Sequence, residues 1–469
     1  MKEQAELDGL ADRARAAGTR LRVFIDVFAG CGGLSLGLKR AGWIGLFVIE
    51  KDAFAFETLD HNFPDKGPLR YYWPASIERR AWDIHNLLDQ RAGALAELTE
   101  SIDLLAGGPP CQGFSEAGKR RADDPRNQLF EDYLRLVAIL RPRLVLVENV
   151  RGFQTDFGIG KPGVIENFAA ALRARLSEDY MTTSAVIRAC DFGVPQARPR
   201  FFLVGAHRDS FPPGTVDEFF AALQAQRASF LAARGLSQAP TARDAISDLE
   251  LARNGSVPCA ECEGFDEIAY GAARTAYQEV MRDGHVGAPP DLRLARHRPE
   301  IRERFASIIR ACREDGRLNT TISSDVRKAH GLKKMAIRVL DPLSAAPTIT
   351  SLPDDLLHYS EPRTLTVREN ARLQTFPDWF AFRGKYTTGG DRRRREVPRF
   401  TQVANAVPPL LAEQIGSVLL RLAGSAQAVD MLGEGVTDLA QRRAVQTELS
   451  AELNHPCLID DDRGLPALD

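Results

Sequence analysis

No run of eighteen apolar residues occurs in this 469-residue sequence, so no bilayer-spanning helix is expected. The opening stretch, MKEQAELDGLADRARAAG, is charged and has no apolar segment. It is expected to be an appended helix or a frayed tail rather than a secretory leader. Net charge is also nearly absent. The 61 Lys and Arg almost balance 63 Asp and Glu, leaving −2 at pH 7, which argues against a generic nucleic-acid coat protein. Cysteine is sparse, seven in all, and an intracellular chain is expected to keep them reduced. Cys259 and Cys262 form a single CxxC with no second pair nearby. That points to loop packing, and no metal site is expected. No internal repeat is present, and the one biased run is RRRR at 392–395. What remains is ordinary for a globular chain, 44% hydrophobic and 26% charged, and long enough for two or three cores.

The charge is unevenly spread. Residues 292–340 carry thirteen Lys and Arg against five Asp and Glu, while residues 424–469 carry three against nine. A basic segment in a near-neutral chain suits phosphate contacts, or equally a solvated helix face.

Short apolar segments at 22–28, 44–50, 102–108 and 143–150 alternate with helical stretches, among them 34–42 and 127–140. This alternation predicts an α/β fold with a mostly parallel sheet and crossover helices. Two further strands are expected at 184–190 and 200–206, and a helix over 402–423. After residue 210 the texture turns irregular, which marks a second domain.

Four constellations carry chemistry. A strand, then Gly30, Gly32 and Gly33, then a helix start, makes a turn whose backbone approaches a ligand closely. Glu50 follows at the end of the next strand, where an acidic residue binds ribose hydroxyls. The turn lacks the GxGxxG spacing of a pyrophosphate site, so an adenosine-bearing cofactor such as S-adenosylmethionine fits better than NAD. Asp83 and Ile84, after a third strand-like element, are candidates for the adenine. GGPPCQGFS at 107–115 sets Cys111 behind two φ-locked prolines at the sheet edge where ligands bind. Glu148 ends the apolar strand RLVLV, so burial should raise its pKa and let it donate a proton. Arg198 and Arg200, two apart at a strand entry, face one side and suit an oxygen and a phosphate.

Taken together and in order, FAGCGG, Glu50, Asp83-Ile84, GGPPCQGFS, the helix with Leu129, ENV, QARPR at 196–200, LTVRENARLQTFPD at 365–378 and QVANAVPP at 402–409 resemble the DNA cytosine-5 methyltransferase family, of bacterial restriction-modification type. The resemblance implies a Rossmann-like, S-adenosylmethionine-dependent fold with a smaller target-recognition domain. It implies Cys111 as nucleophile on cytosine carbon 6, Glu148 on N3 and the exocyclic amine, Arg200 on O2, and Arg198 beside the thiolate. Phe28, Ala29, Gly30, Gly32, Glu50, Asp83, Ile84, Pro109, Leu129 and Asn405 would hold the cofactor. Gln112, Ser115, Arg120 and Arg121 are candidate contacts to double-stranded DNA, whose target base must swing out of the stack.

The implied organisation is an extension at 1–20, a catalytic domain at 21–210, a target-recognition domain at 211–362, a C-terminal part at 363–425 completing the catalytic domain, and an acidic tail at 426–469. A cytoplasmic, nucleoid-associated monomer is expected, with any cognate restriction endonuclease not a stable subunit. Two alternatives stay open: a cytosine-5 methyltransferase acting on RNA, and a catalytically idle DNA-binding module.

Overall fold

Strands buried on both faces need apolar residues at every position, and four such runs form the centre of the sheet. They are β1 (Val23–Val27), β2 (Ile44–Ile49), β3 (Leu104–Gly107) and β4 (Leu144–Val150), mutually parallel in the order β2-β1-β3-β4. The computed structural model describes residues 20–64, 66–109, 125–154, 157–158, 165–333, 336–387 and 396–430, with Gly9, Leu10 and Asp12 ahead of them. Two more strands complete the sheet. β5 (Tyr180–Arg188) and β6 (Pro199–His207) are antiparallel to each other, and β6 is antiparallel to β4.

β5 starts four residues earlier than the expected 184, and Ala189–Phe192 forms a 3₁₀ turn in place of its expected end. It lies at the sheet edge and is only half-buried. Polar Thr182, Thr183 and Ser184 are tolerated there, so no apolar run announces the strand's true start.

Helices flank the strands. α1 (Gly33–Arg40), α2 (Ala53–Asn62), α3 (Ile84–Gln90) and α4 (Pro125–Leu140) come from the first half of the chain. From the C-terminal part come α5 (Arg399–Asn405) and α6 (Pro409–Asp430). The single helix expected over 402–423 is therefore two. Ala406 is extended, with ψ 148°. Pro408 and Pro409 cannot continue a helix but can begin one.

α6 lies against α1, and its buried Leu411, Ile415, Val418 and Leu419 enter the core of the sheet. The two helices approach so closely that a Cβ on Gly37 would sit 2.3 Å from Ala412 Cβ and 2.5 Å from the Pro409 carbonyl oxygen. Trp43 Nε1 donates to the Gly416 carbonyl at 2.9 Å across the same contact. The stretch Arg399–Gly424 is apolar enough for a bilayer by composition, but 78% of its most apolar window is buried in the fold.

Phe211, Val216, Phe219 and Leu223 also pack into the sheet's core. Beyond them a second cluster joins Leu231, Ile246, Tyr277 and Leu356 to Leu373, Ala404 and Leu410. A third forms under the helix Pro299–Glu314, whose Phe305, Ile308, Ile309 and Cys312 fall on one face. The second cluster thus unites residues from 231 to 410 around the C-terminal helices.

Gly37→Ala is expected to lower the denaturation midpoint. Overpacking costs about 1–3 kcal/mol, against at most about 1 kcal/mol returned by helix propensity. Gly424→Ala, in the same helix pair but with open space around its Cβ, should raise the midpoint. Chemical denaturation of both variants checks the contact. Equal stabilisation in the two would disprove it.

Candidate active site

The first half of the site forms where β1 and β2 end side by side. The Phe28 and Ala29 amides both donate to the Ile49 carbonyl, at 2.7 and 3.2 Å, so the turn after β1 folds over the end of β2. Phe28 adopts φ 60°, a left-handed conformation strained for a bulky side chain. Gly30 adopts φ 56°, with nothing within 4 Å of where a Cβ would stand, so this backbone faces open space. Glu50 locks the turn in place. Its Oε2 accepts from the Gly30 amide at 2.9 Å, and its Oε1 accepts from the Asp52 amide at 2.7 Å. Burial raises the Glu50 pKa, and these two backbone donors pull the other way.

Residues 66–83 form no strand, contrary to the expected third strand-like element before Asp83. Asp83 is positioned instead as the N-cap of α3, its Oδ1 accepting from the His85 amide at 3.0 Å. The preceding Trp82 amide donates to the Glu50 carbonyl at 2.8 Å, tying this cap to the end of β2.

The second half forms beyond β3 and β4. Glu148 is buried, with its Oε1 3.1 Å from Arg200 Nε. Burial raises its pKa, against the pull of Arg200 and Arg198. Gly108 explains itself here. A Cβ on it would stand 2.9 Å from the Glu148 carbonyl oxygen and 3.0 Å from Oε2, so a side chain would displace the carboxyl. Asn149 Nδ2 donates to the Pro109 carbonyl at 2.9 Å, fastening the loop after β3 to β4. Arg198 is buried, and its Nε and Nη1 have no hydrogen-bond partner among the described residues. Burial and the neighbouring Arg200 charge press its pKa down, while Glu148 acts in the opposite sense.

Both halves open into one cavity of about 330 Å³. Phe28, Ala29, Gly30 and Glu50 line it from β1 and β2, and Asp83, Ile84, Pro109, Leu129 and Asn405 from the surrounding elements. Glu148, Arg198 and Arg200 line it as well. Gly32 is not part of the lining. It is the N-cap of α1 at φ 93°, and a Cβ there would meet the Phe63 ring at 2.6 Å. Cys111, Gln112, Ser115, Arg120 and Arg121 lie outside the described residues.

Comparison with known proteins decides the family. The family model for C-5 cytosine-specific DNA methylase matches residues 23–421. The chain belongs to that family. The type II methyltransferase M.DdeI of Desulfomicrobium norvegicum is 30% identical over 450 residues, covering 92% of this chain and 95% of that protein. M.XorII of Xanthomonas oryzae is 30% identical over 428 residues, covering 85% of this chain and 84% of that one. A solved structure described as an Escherichia coli prophage-encoded DNA modification methyltransferase is 25% identical, with a TM-score of 0.60 over 86% of this chain and 99% of that one. The protein is an S-adenosylmethionine-dependent DNA cytosine-5 methyltransferase of restriction-modification type with a Rossmann-like α/β fold.

Trp82, Gln402 and Asp26 are among the lining residues of this methyltransferase that no sequence pattern singled out. Trp82 lies under the Arg80 guanidinium at 3.4 Å and faces the cavity; the aromatic directly before Asp83 was its only signal. Gln402, the first residue of QVANAVPP, accepts from Thr58 Oγ1 at 2.6 Å and donates to the Val397 and Arg383 carbonyls at 3.0 Å each. Asp26 in β1 accepts from Ser35 Oγ at 2.5 Å, and Tyr71 OH donates to that same hydroxyl.

Burial raises Asp26 from 3.8 to about 7, against the Ser35 hydrogen bond. The folded state therefore holds this proton more tightly than the unfolded chain. Its contribution to stability is full below the ordinary carboxylate value and is lost as pH rises towards 7. Asp26→Asn should flatten the pH dependence of the thermal midpoint between about 4 and 7, relative to the parent. Parallel profiles for the two proteins would contradict a proton shared within this cluster.

Proposed function

We propose that the methyltransferase modifies a cytosine swung out of double-stranded DNA at a specific sequence, through a transient bond between Cys111 and carbon 6. Carbon 5 of cytosine is a weak nucleophile. Addition of the Cys111 thiolate to carbon 6 pushes electron density to carbon 5, provided N3 gains a proton as the sulfur attacks. Glu148 supplies that proton and accepts from the exocyclic amine. A glutamate can do so near neutral pH only if its pKa is raised, and burial acts in that direction.

Arg200, already beside Glu148, takes the O2 edge. Arg198, whose Nε and Nη1 have no partner among the described residues, helps to position the Cys111 thiolate. With the methyl donor bound, carbon 5 would take its methyl group and S-adenosylhomocysteine would leave; loss of the carbon-5 proton to a base would then expel Cys111 as the thiolate, and the N3 proton would return to Glu148. S-adenosylmethionine supplies that methyl as an electrophile. The site suits it: each Glu50 oxygen is fixed by one amide and keeps acceptor capacity for a ribose hydroxyl, and Gly30 leaves room for the ligand. Phe28, Ala29, Pro109, Leu129 and Asn405 close around it, with Asp83 and Ile84 at the adenine.

The observation that carries this reading is the shared cavity. The ribose carboxylate Glu50 and the base-side pair Glu148 and Arg200 line one space, so methyl donor and acceptor can meet. Residues 211–362 read the DNA sequence in this proposal, and Gln112, Ser115, Arg120 and Arg121 contact its backbone. The protein works as a monomer in the cytoplasm at the nucleoid, with a cognate endonuclease acting separately.

A DNA duplex carrying 5-fluorocytosine at the target, given S-adenosylmethionine, should leave a protein–DNA adduct stable to denaturing electrophoresis. Fluorine cannot leave as a proton does, so the enzyme stays bonded. Cys111→Ser should form none while still binding the methyl donor. An adduct on RNA alone would overturn the choice of polymer, and an adduct with the serine variant would overturn the nucleophile.

A further inference from the structure

α5 supplies Gln402 and Asn405 to the cavity, yet by itself it begins poorly. Its N-cap, Pro398, provides no side-chain acceptor, and the helix has only seven residues. Its first residue is Arg399, a cation at the end where the helix dipole disfavours one. So short a helix is not held by propensity. The stabilising groups come from elsewhere in the chain. Arg399 Nη1 donates to Glu261 Oε2 at 2.7 Å and to Asp291 Oδ1 at 2.8 Å, and Nη2 donates to Glu261 Oε1 at 3.0 Å. Nε donates to the Gly384 carbonyl at 3.0 Å, so every guanidinium nitrogen is engaged. Tyr386 OH donates to Glu261 Oε2 at 2.7 Å and steadies the carboxylate.

Glu261 is the third residue of the CAEC turn, inside the hairpin formed by Ser256–Pro258 and Asp266–Ile268. The thiols on either side of it are free, and no group of three or more metal-ligating side chains occurs among the described residues. The turn's contribution is its carboxylate. A second tie runs beside it. The Val397 amide donates to Asp52 Oδ2 at 3.0 Å, and the Asp52 amide donates to Glu50 Oε1. The start of α5 is thus braced on one side by the hairpin and on the other by the Glu50 end of β2.

We propose that Glu261 is a positioning residue for cofactor binding: through Arg399 it sets the start of α5, and with it the place of Asn405 in the cavity wall. The inference rests on the cavity being the S-adenosylmethionine site. It connects the hairpin of the 211–362 segment to the cavity wall through Arg399 and α5, by a bidentate charge-assisted pair between Glu261 and Arg399. The Glu261 side chain is 37% exposed while that of Arg399 is 8% exposed, so the glutamate can be replaced without opening a core.

The test is calorimetric binding of S-adenosylhomocysteine to the full chain and to Glu261→Ala and Glu261→Gln. Loss of a charge-assisted bond to a buried arginine predicts about tenfold weaker binding for the alanine variant. The glutamine variant, which keeps one acceptor for Arg399, should fall between. KM for S-adenosylmethionine should rise by a similar factor while kcat moves less, and DNA affinity should hold. A dissociation constant within twofold of the parent in both variants overturns the proposal. So does a loss matched by equal falls in DNA affinity and thermal midpoint. Failure of the parent chain itself to bind S-adenosylhomocysteine would instead remove the cofactor reading of the cavity.

Discussion

A carboxyl group set at the end of an apolar strand, out of water and beside two arginines, is the constraint around which this protein is arranged. Strand β4 is buried along almost its whole length, so Glu148 arrives in a dry environment by construction. Burial alone favours the neutral acid; the arginines favour the anion. The balance between them decides whether Glu148 can give up a proton to a base or only accept one. The surroundings protect that balance. Gly108 keeps the preceding loop from pushing the carboxyl aside, Asn149 ties that loop to β4, and Arg200 holds the carboxyl from the neighbouring strand β6.

The other half of the cavity is shaped by backbone, as the proposed binding of a flexible and polar ligand requires. Glu50 is fixed by amides from Gly30 and Asp52, and the Asp83 cap is fastened to Glu50 through Trp82. The far wall is made by chain more than three hundred residues away. α5 and α6 close over the first βα unit, α6 packing on α1 at a glycine contact and α5 held by Glu261 and Asp291. The cavity is therefore complete only when the C-terminal helices are seated. In this arrangement, stability of the closure and shape of the cavity wall are the same physical fact.

Much of this was legible in the sequence because burial writes itself into composition. The four parallel strands read as continuous apolar runs since both their faces are covered. Glu50 stood out because it ends the strand after a glycine turn, and Glu148 because it interrupts valines and leucines. β5 was harder, since an edge strand needs no such run. The break between α5 and α6 was hidden because apolar periodicity persists on both sides of the two prolines. Asp26, Trp82 and Gln402 carried no chemical pattern of their own; their importance comes from what surrounds them once folded. The clamp on Arg399 is the extreme case. Its partners lie 138 and 108 residues away in sequence, and no local pattern joins a CxxC turn to the start of a helix.

The ionisation of Glu148 is the most direct test. Carboxyl-carbon NMR of protein labelled at glutamate, with Glu148→Gln to assign the resonance, would follow its titration with S-adenosylhomocysteine bound. A midpoint above the ordinary glutamate value of 4.5 is predicted, because burial outweighs the arginines. A midpoint at or below that value would mean that Arg198 and Arg200 win. Glu148 would then be a fixed anion unable to protonate N3, and the proposed chemistry would fail at its first step.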